Sequence, residues 1–319
     1  MGDTSTLFEL VAGGTPRPGQ GGTGSVDQGL DEVVAWFRGH EDLEARFGSI
    51  FRQSLDEVLD GQRTGRFDIA GLAKTEKTYL GTKVEIVTRA GFELHYGAKM
   101  DYEVAGHEID AKFSITGTWA IPTEAMGHLC LLMSADDHKS AFDVGVIRIR
   151  PEVLNRGRNK DGKTTITKQA RGSIVWLARN ASLPRNLLLS LPQSTVDRIR
   201  SAGSGQQRIN ELLRCVQGCP IDRNTAVTVA QQKDGLKRCR DARRHLRKEG
   251  IAVLGHQNDS PKIASALGLP VPEKGTFLSI RLVKVADDTD GRPVVEISGD
   301  HYAVSRPGEP VEPVPDIRY

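Results

Sequence analysis

Between residues 101 and 114 acidic and apolar residues alternate on both sides of a glycine, as Asp101-Tyr102-Glu103-Val104 and then Glu108-Ile109-Asp110-Ala111-Lys112. A period of two marks half-buried strands, and the short segment Ala105-Gly106-His107-Glu108 between the runs predicts a β-hairpin. With Gly106 and His107 as turn residues, Glu103 stands opposite Asp110 and Asp101 opposite Lys112. Asp101, Glu103, Asp110 and Lys112 then share one face, while Tyr102, Val104, Ile109 and Ala111 point the other way.

Upstream the pattern is helical. Residues 1–25, with a Gly/Pro-rich stretch from 11, read as a disordered tail, and folded sequence begins near Asp27. A helix through Val33–Phe37 is followed by another over 43–59, whose apolar positions include Phe47, Ile50, Phe51 and Leu55. A glycine-bearing turn at 60–65 ends it, and a third helix runs over 75–90, with Gly91 as its stop and Glu85 between Val84 and Ile86. After the hairpin, the apolar run at 128–133 predicts a buried strand and 142–149 a further strand. A helix is expected over 166–177. Helix, hairpin and strands make an α/β unit with a central sheet. Residues 179–185 are polar with one proline and read as a linker. It separates a first domain, 26–178, from a second, 186–319.

In the second half Leu236, Cys239, Ala242 and Leu246 form one apolar helix stripe. The rest of that helix is basic: Lys237, Arg238, Arg240, Arg243, Arg244, Arg247 and Lys248, interrupted by one acid, Asp241. A short element at 225–232, readable as helix or strand, precedes it across a turn, and the strand at 251–255 follows Gly250. Short element, turn, basic helix, glycine stop and strand fit a winged helix-turn-helix within an α+β domain, with the basic helix in the major groove.

Composition adds bounds. The chain has 319 residues, 43 Lys and Arg against 41 Asp and Glu, so total charge says little about partners and its distribution says more. No apolar run approaches about 18 residues and the N-terminus lacks an apolar leader, so neither a membrane span nor secretion is expected, and the location is cytoplasmic. Cys130, Cys215, Cys219 and Cys239 include no CxxC pair; Cys215 and Cys219, with Cys239 and His245 downstream, lack zinc-site spacing and read as small helical residues.

Three carboxylates on one hairpin face repel one another unless a cation lies between them, and Mg²⁺ is commonly held by one or two carboxylates plus substrate phosphates. An adjacent lysine completes a set for metal-assisted phosphodiester hydrolysis. An ordinary half-exposed hairpin shows the same alternation, with Asp110 and Lys112 as a surface pair, and Glu85 is either on a solvated helix face or turned toward the site. Seven clustered bases favour nucleic acid as the partner.

Several segments in order resemble the NaeI restriction endonucleases: D-G-Q-R-T-G-R at 60–66, K-T-E-K-T at 74–78, V-E-I at 84–86, D-Y-E-V-A-G at 101–106 and D-A-K-F-S at 110–114. In the second half they are T-V-A-Q-Q at 228–232, E-G-I at 249–251, L-G-H-Q at 254–257 and L-G-L-P-V-P at 267–272. The first fifty residues and the basic stretch at 237–248 match less well. The resemblance implies a homodimer with a PD-(D/E)xK restriction-endonuclease-like core built on a central mixed sheet. A winged-helix domain would bind a second copy of the DNA site as effector, the type IIE behaviour. Carried over by motif, Glu85, Asp101, Asp110 and Lys112 are the active site. Asp101 and Asp110 would hold Mg²⁺ with Glu85 completing the cluster, and Lys112 would orient or deprotonate the attacking water. Glu103 matches the family text but is kept as a neighbour. The implied target is a GC-rich palindrome, with a cognate DNA methyltransferase as the functional partner. The alternatives are a non-cutting DNA-binding regulator and a repair or recombination nuclease on the same core.

Overall fold

The computed structural model describes residues 27–286 and 291–319; the tail expected at 1–25 lies outside the described residues. Helix α1 (Gln28–Arg38) starts where the Asp27 carboxylate accepts from the Leu30 N–H. Helix α2 (Leu43–Leu59) buries Phe47, Ile50, Phe51 and Leu55, and ends at Asp60 in the left-handed conformation. The short α3 (Gly61–Thr64) closes on Gly65, and α4 (Lys74–Phe92) follows. Helices α1, α2 and α4 lie close to the expected positions, because each has an apolar stripe to bury, and the short α3 falls at the expected glycine-bearing turn.

Strands β1 (Tyr102–Val104) and β2 (His107–Ser114) form the hairpin. Its turn residues are Ala105 and Gly106, both with positive φ, so the turn lies one residue earlier than expected. Tyr102 pairs with Ile109, Glu103 with Glu108 and Val104 with His107. Glu103 therefore does not oppose Asp110, and continuing the register by one residue sets Asp101 across from Asp110, not Lys112. The error amounts to two residues of register, and an even slip leaves every side chain on its original face.

Beyond the hairpin come β3 (Ala120–Ile121), β4 (Leu129–Asp136), β5 (Ala141–Arg148), β6 (Thr164–Thr165) and β7 (Val175–Ser182). The main sheet has the order β1-β2-β4-β5-β7, with β2 and β4 parallel and the other neighbours antiparallel. It is a mixed central sheet of the kind expected. One face packs Ile109, Leu129, Leu131, Met133 and Val144 against Phe37, Phe47, Phe51 and Val84 of the helices. The opposite face packs Cys130, Leu132 and Ile147 under a small lobe built from 115–128 and 149–174, where β3 pairs with β6.

The helix expected over 166–177 does not form. Ile166 follows the short strand β6, a 3-10 turn occupies Ala170–Ser173, and Val175 begins β7. Tertiary packing decides this: Gly145 of β5 lies against Ile174 and Trp176, where a Cβ would approach Ile174 Cγ2 to 2.4 Å. The missing side chain admits a neighbouring strand. β7 pairs as far as Ser182 with Ala141, so four residues of the expected linker at 179–185 are sheet, and the chain leaves it at Leu183.

The second half contains α5 (Gln193–Ser201), α6 (Gly205–Cys215), β8 (Pro220–Ile221), α7 (Arg223–Ala230), α8 (Gly235–Leu246), β9 (Ile251–Leu254), α9 (Ser260–Ala266), β10 (Phe277–Val285), β11 (Val294–Ile297) and β12 (Asp300–Val304). The ambiguous 225–232 stretch is helix α7, capped by the Asp222 carboxylate accepting from Thr225 N–H at 2.9 Å and closed by left-handed Gln231. Helices α6, α7 and α8 enclose Ile209, Leu212, Ala226, Cys239, Ala242 and Leu246. Strand β10 pairs with β8, β9 and β12, all antiparallel. All four cysteines are free thiols; Cys215 and Cys239 are helical as expected, Cys219 lies in the connection before β8, and Cys130 is on β4. Among the described residues no helix is long and apolar enough to cross a membrane.

Candidate active site

Asp110 and Lys112 project from β2 on the same face, two residues apart. Asp110 pairs in the parallel register with Cys130 on β4 and is only 6% exposed. Its Oδ1 accepts from Lys112 Nζ at 2.6 Å and its Oδ2 from the Cys130 thiol at 3.3 Å. The Lys112 ammonium also donates to Ala111 O at 2.9 Å and lies 3.9 Å from Asp101 Oδ2. Asp101, just before β1, accepts the Ala111 N–H at 2.7 Å through that same oxygen, which locks its carboxylate against the edge of β2. The hairpin thus brings Asp101, Asp110 and Lys112 together.

Glu85 comes from α4, which packs over β2. The buried Tyr102 hydroxyl donates to the Glu85 carbonyl at 2.8 Å and fastens the helix to the residue following Asp101. Burial raises the Glu85 carboxyl above the usual range, and the Asp101 charge pushes the same way. At Asp101 burial again raises the proton affinity, opposed by the Ala111 N–H and Lys112 and reinforced by Asp110. Burial and the Asp110 charge push the Cys130 thiol well up, so it stays protonated and able to donate. Glu103 is exposed, and its backbone N–H donates to His95 O at 3.0 Å in an isolated bridge.

Among the described residues no three His, Cys, Asp or Glu side chains converge closely enough to hold a metal by themselves. The donor chemistry still suits Mg²⁺, which rarely uses an all-protein cage and takes one or two carboxylates with substrate phosphates and water. Asp101 and Asp110 supply two such carboxylates, and burial together with the neighbouring Asp110 charge raises the proton affinity of Asp101. Cys130 and Tyr102 were not readable as site residues, because only the parallel β2–β4 register and the fold of α4 place them there.

Five of the seven cations lie on α8 and two, Arg247 and Lys248, in the 3-10 turn that follows it, and they are presented unequally. Arg238 is paired with Asp234 at 3.1 Å. Arg243 is half-buried, donates to Val253 O at 3.0 Å and stacks 4.1 Å from the Tyr319 ring centroid. Arg247 bonds Val314 O at 3.1 Å and Asp316 at 2.7 Å. Arg244 is 81% exposed, 3.9 Å from Asp241. Among the described residues Lys237, Arg240 and Lys248 have no acidic partner, and all three are exposed.

The family model for restriction endonuclease NaeI matches residues 31–313. A type II restriction enzyme NaeI from Lentzea aerocolonigenes is 42% identical over 302 residues, spanning 91% of this chain and 95% of the relative. The matched region runs through both halves and includes every residue of the hairpin site. The chain therefore belongs to the NaeI restriction endonuclease family and is a type II site-specific deoxyribonuclease.

Proposed function

We propose that this enzyme hydrolyses both strands of duplex DNA at a short GC-rich palindrome, using Mg²⁺ at Asp101 and Asp110 with Glu85 alongside. It acts in the cytoplasm as a homodimer, since a palindrome is matched by two-fold symmetry. The second half is an α+β domain containing a winged helix-turn-helix whose helix α8 holds another copy of the site as effector, and a cognate DNA methyltransferase spares the host's own sites. Family membership sets aside the non-cutting regulator and the repair nuclease, and enzymes of this type generally use a divalent metal.

The observation that carries the reading is Lys112 Nζ placed 2.6 Å from Asp110 and 3.9 Å from Asp101. The bound ion would supply positive charge that polarises the scissile phosphate and acidifies the attacking water. Asp101 presents its carboxylate in an orientation fixed by the Ala111 N–H, and Asp110 is fixed by Cys130. Lys112, oriented by Ala111 O, exchanges its carboxylate partner for the attacking water or a phosphoryl oxygen and stabilises negative charge as it builds. Digestion of a sequenced plasmid with Mg²⁺ should give discrete fragments whose ends map the site. Asp110→Ala should lower the cutting rate by about 100-fold or more while DNA affinity stays within a few-fold. Cutting by that variant at the native rate would reject the site.

A further inference from the structure

Between β5 and β7 the chain carries a charge imbalance that neither α8 nor the hairpin uses. Residues 150–171 hold seven cations against two acids, Glu152 and Asp161, in a chain whose cations and acids number 43 and 41. All seven are exposed. Arg150 is paired with Asp27, Arg158 donates to Thr123 Oγ1 and Arg171 to Gly117 O. Among the described residues Arg156, Lys160, Lys163 and Lys168 have no acidic partner. Like charges gathered without counter-charges raise the local potential and favour a polyanion nearby.

This segment is held in a defined shape. The Asn159 side chain accepts from Asp161 N–H at 3.0 Å and Lys163 N–H at 2.9 Å, and Gly162 takes the positive φ that closes the turn. Asn155 donates to Thr165 Oγ1 at 2.8 Å, and Thr164 pairs with Ile121. Lys160 and Lys163 thus leave a built turn, not a free loop. The lobe also covers the sheet face that carries the site: Ile166 and Ile174 share a core with Cys130, whose thiol bonds Asp110. Two residues after Lys112, Ser114 Oγ accepts the Thr118 N–H at 3.0 Å, so the catalytic strand runs straight into the lobe.

We propose that this lobe grips the phosphates of the substrate duplex beside the scissile bond, separately from the copy assigned to α8. The inference rests on the reading that the Asp101–Asp110–Lys112 site cuts DNA. Duplex DNA carries a charge about every 1.7 Å of axis, so a patch of four unpaired cations meets several phosphates at once.

The test compares Arg156→Ala/Lys160→Ala/Lys163→Ala with Arg156→Lys/Lys160→Arg/Lys163→Arg in plasmid cleavage across a salt series. The alanine triple should raise KM by about tenfold or more and flatten the log–log salt slope by about 3, with kcat within a few-fold. The charge-preserving triple should restore both. An alanine triple with native KM and salt slope would overturn the proposal, as would a charge-preserving triple that fails in the same way. Failure of the underlying site reading shows elsewhere, as native cutting by Asp110→Ala. Circular dichroism confirms that the triples fold.

Discussion

Asp110 enters the site from a strand position with almost no solvent, held by one cation and one thiol. Its neighbours Glu85 and Asp101 have proton affinities raised first by burial and then by adjacent carboxylates. Both must be ionised to hold a cation. Cutting should therefore fall on the acid side at a higher pH than an ordinary solvent-exposed carboxylate, near about 4, would give. The stability sign follows from linkage: the folded state binds these protons more tightly than the unfolded chain, so their contribution is full below the unfolded pKa and lost as pH rises through the folded one. At neutral pH the ionised cluster costs stability, which a divalent cation bound between the carboxylates would recover. Asp101→Asn should therefore stabilise the metal-free enzyme, by at most about 1 kcal/mol, while cutting is lost. Ca²⁺ should raise the melting temperature of the native enzyme more than that of the variant. Equal Ca²⁺ effects on the two proteins would show that Asp101 takes no part in holding the ion.

At the scale of elements, helix α8 separates cations that face outward from cations that hold the fold. Arg243→Ala removes a guanidinium bonded to Val253 O and stacked on Tyr319, and should cost about 1–3 kcal/mol in stability. Lys237→Ala with Arg240→Ala should leave the melting temperature unchanged and lower the salt slope of DNA binding by about 2. Thermal melts and a salt titration read the two effects separately, and a reversed pattern would reject this division of roles. The sequence could show that α8 is basic and amphipathic, since that depends only on a period of 3.6. It could not show which arginines are consumed inside the fold, because Val314 and Tyr319 come from distant segments and Val253 is brought back by the strand that follows the helix. The hairpin follows the same rule. Its acidic face was legible and survived a misplaced turn, whereas its pairing was set by the Ala105-Gly106 turn. At β7, short-range pattern failed altogether, because Gly145 on a neighbouring strand decides that Val175 and Trp176 extend the sheet.

The two halves of the molecule meet where the 60–66 segment leaves α2. Phe67 packs into the core formed by the second half, and Asn186 donates to Phe67 O at 2.8 Å and to Asp137 at 3.2 Å. Arg52 bonds Asp137 at 2.6 Å, and Asn224 of α7 donates to Asp56 of α2 at 2.6 Å. Burial raises the Asp56 carboxyl despite the Arg52 charge, and these polar contacts border an open cleft lined by Arg52, Asp56, Asn186 and Asn224. A linker read from polarity alone misses this, since the join is made by α3 against α7 and by Asp56 and Phe67 of the first half as well as by Asn186 beside the expected linker. Close approach depends on Gly61, where a Cβ would meet Thr228 Oγ1 at 2.1 Å and Arg66 O at 2.9 Å. Gly61→Ala must therefore push α3 away from α7 and should cost about 1–3 kcal/mol by overpacking. Gly71→Ala, ten residues on with nothing within 4 Å of the new Cβ, should change stability by no more than about 0.5 kcal/mol. Denaturant melts of the two variants decide the matter: equal effects would mean that the seam yields freely, whereas a selective loss at Gly61 means that α2, which packs on the helix carrying Glu85, is rigidly joined to the helix preceding α8.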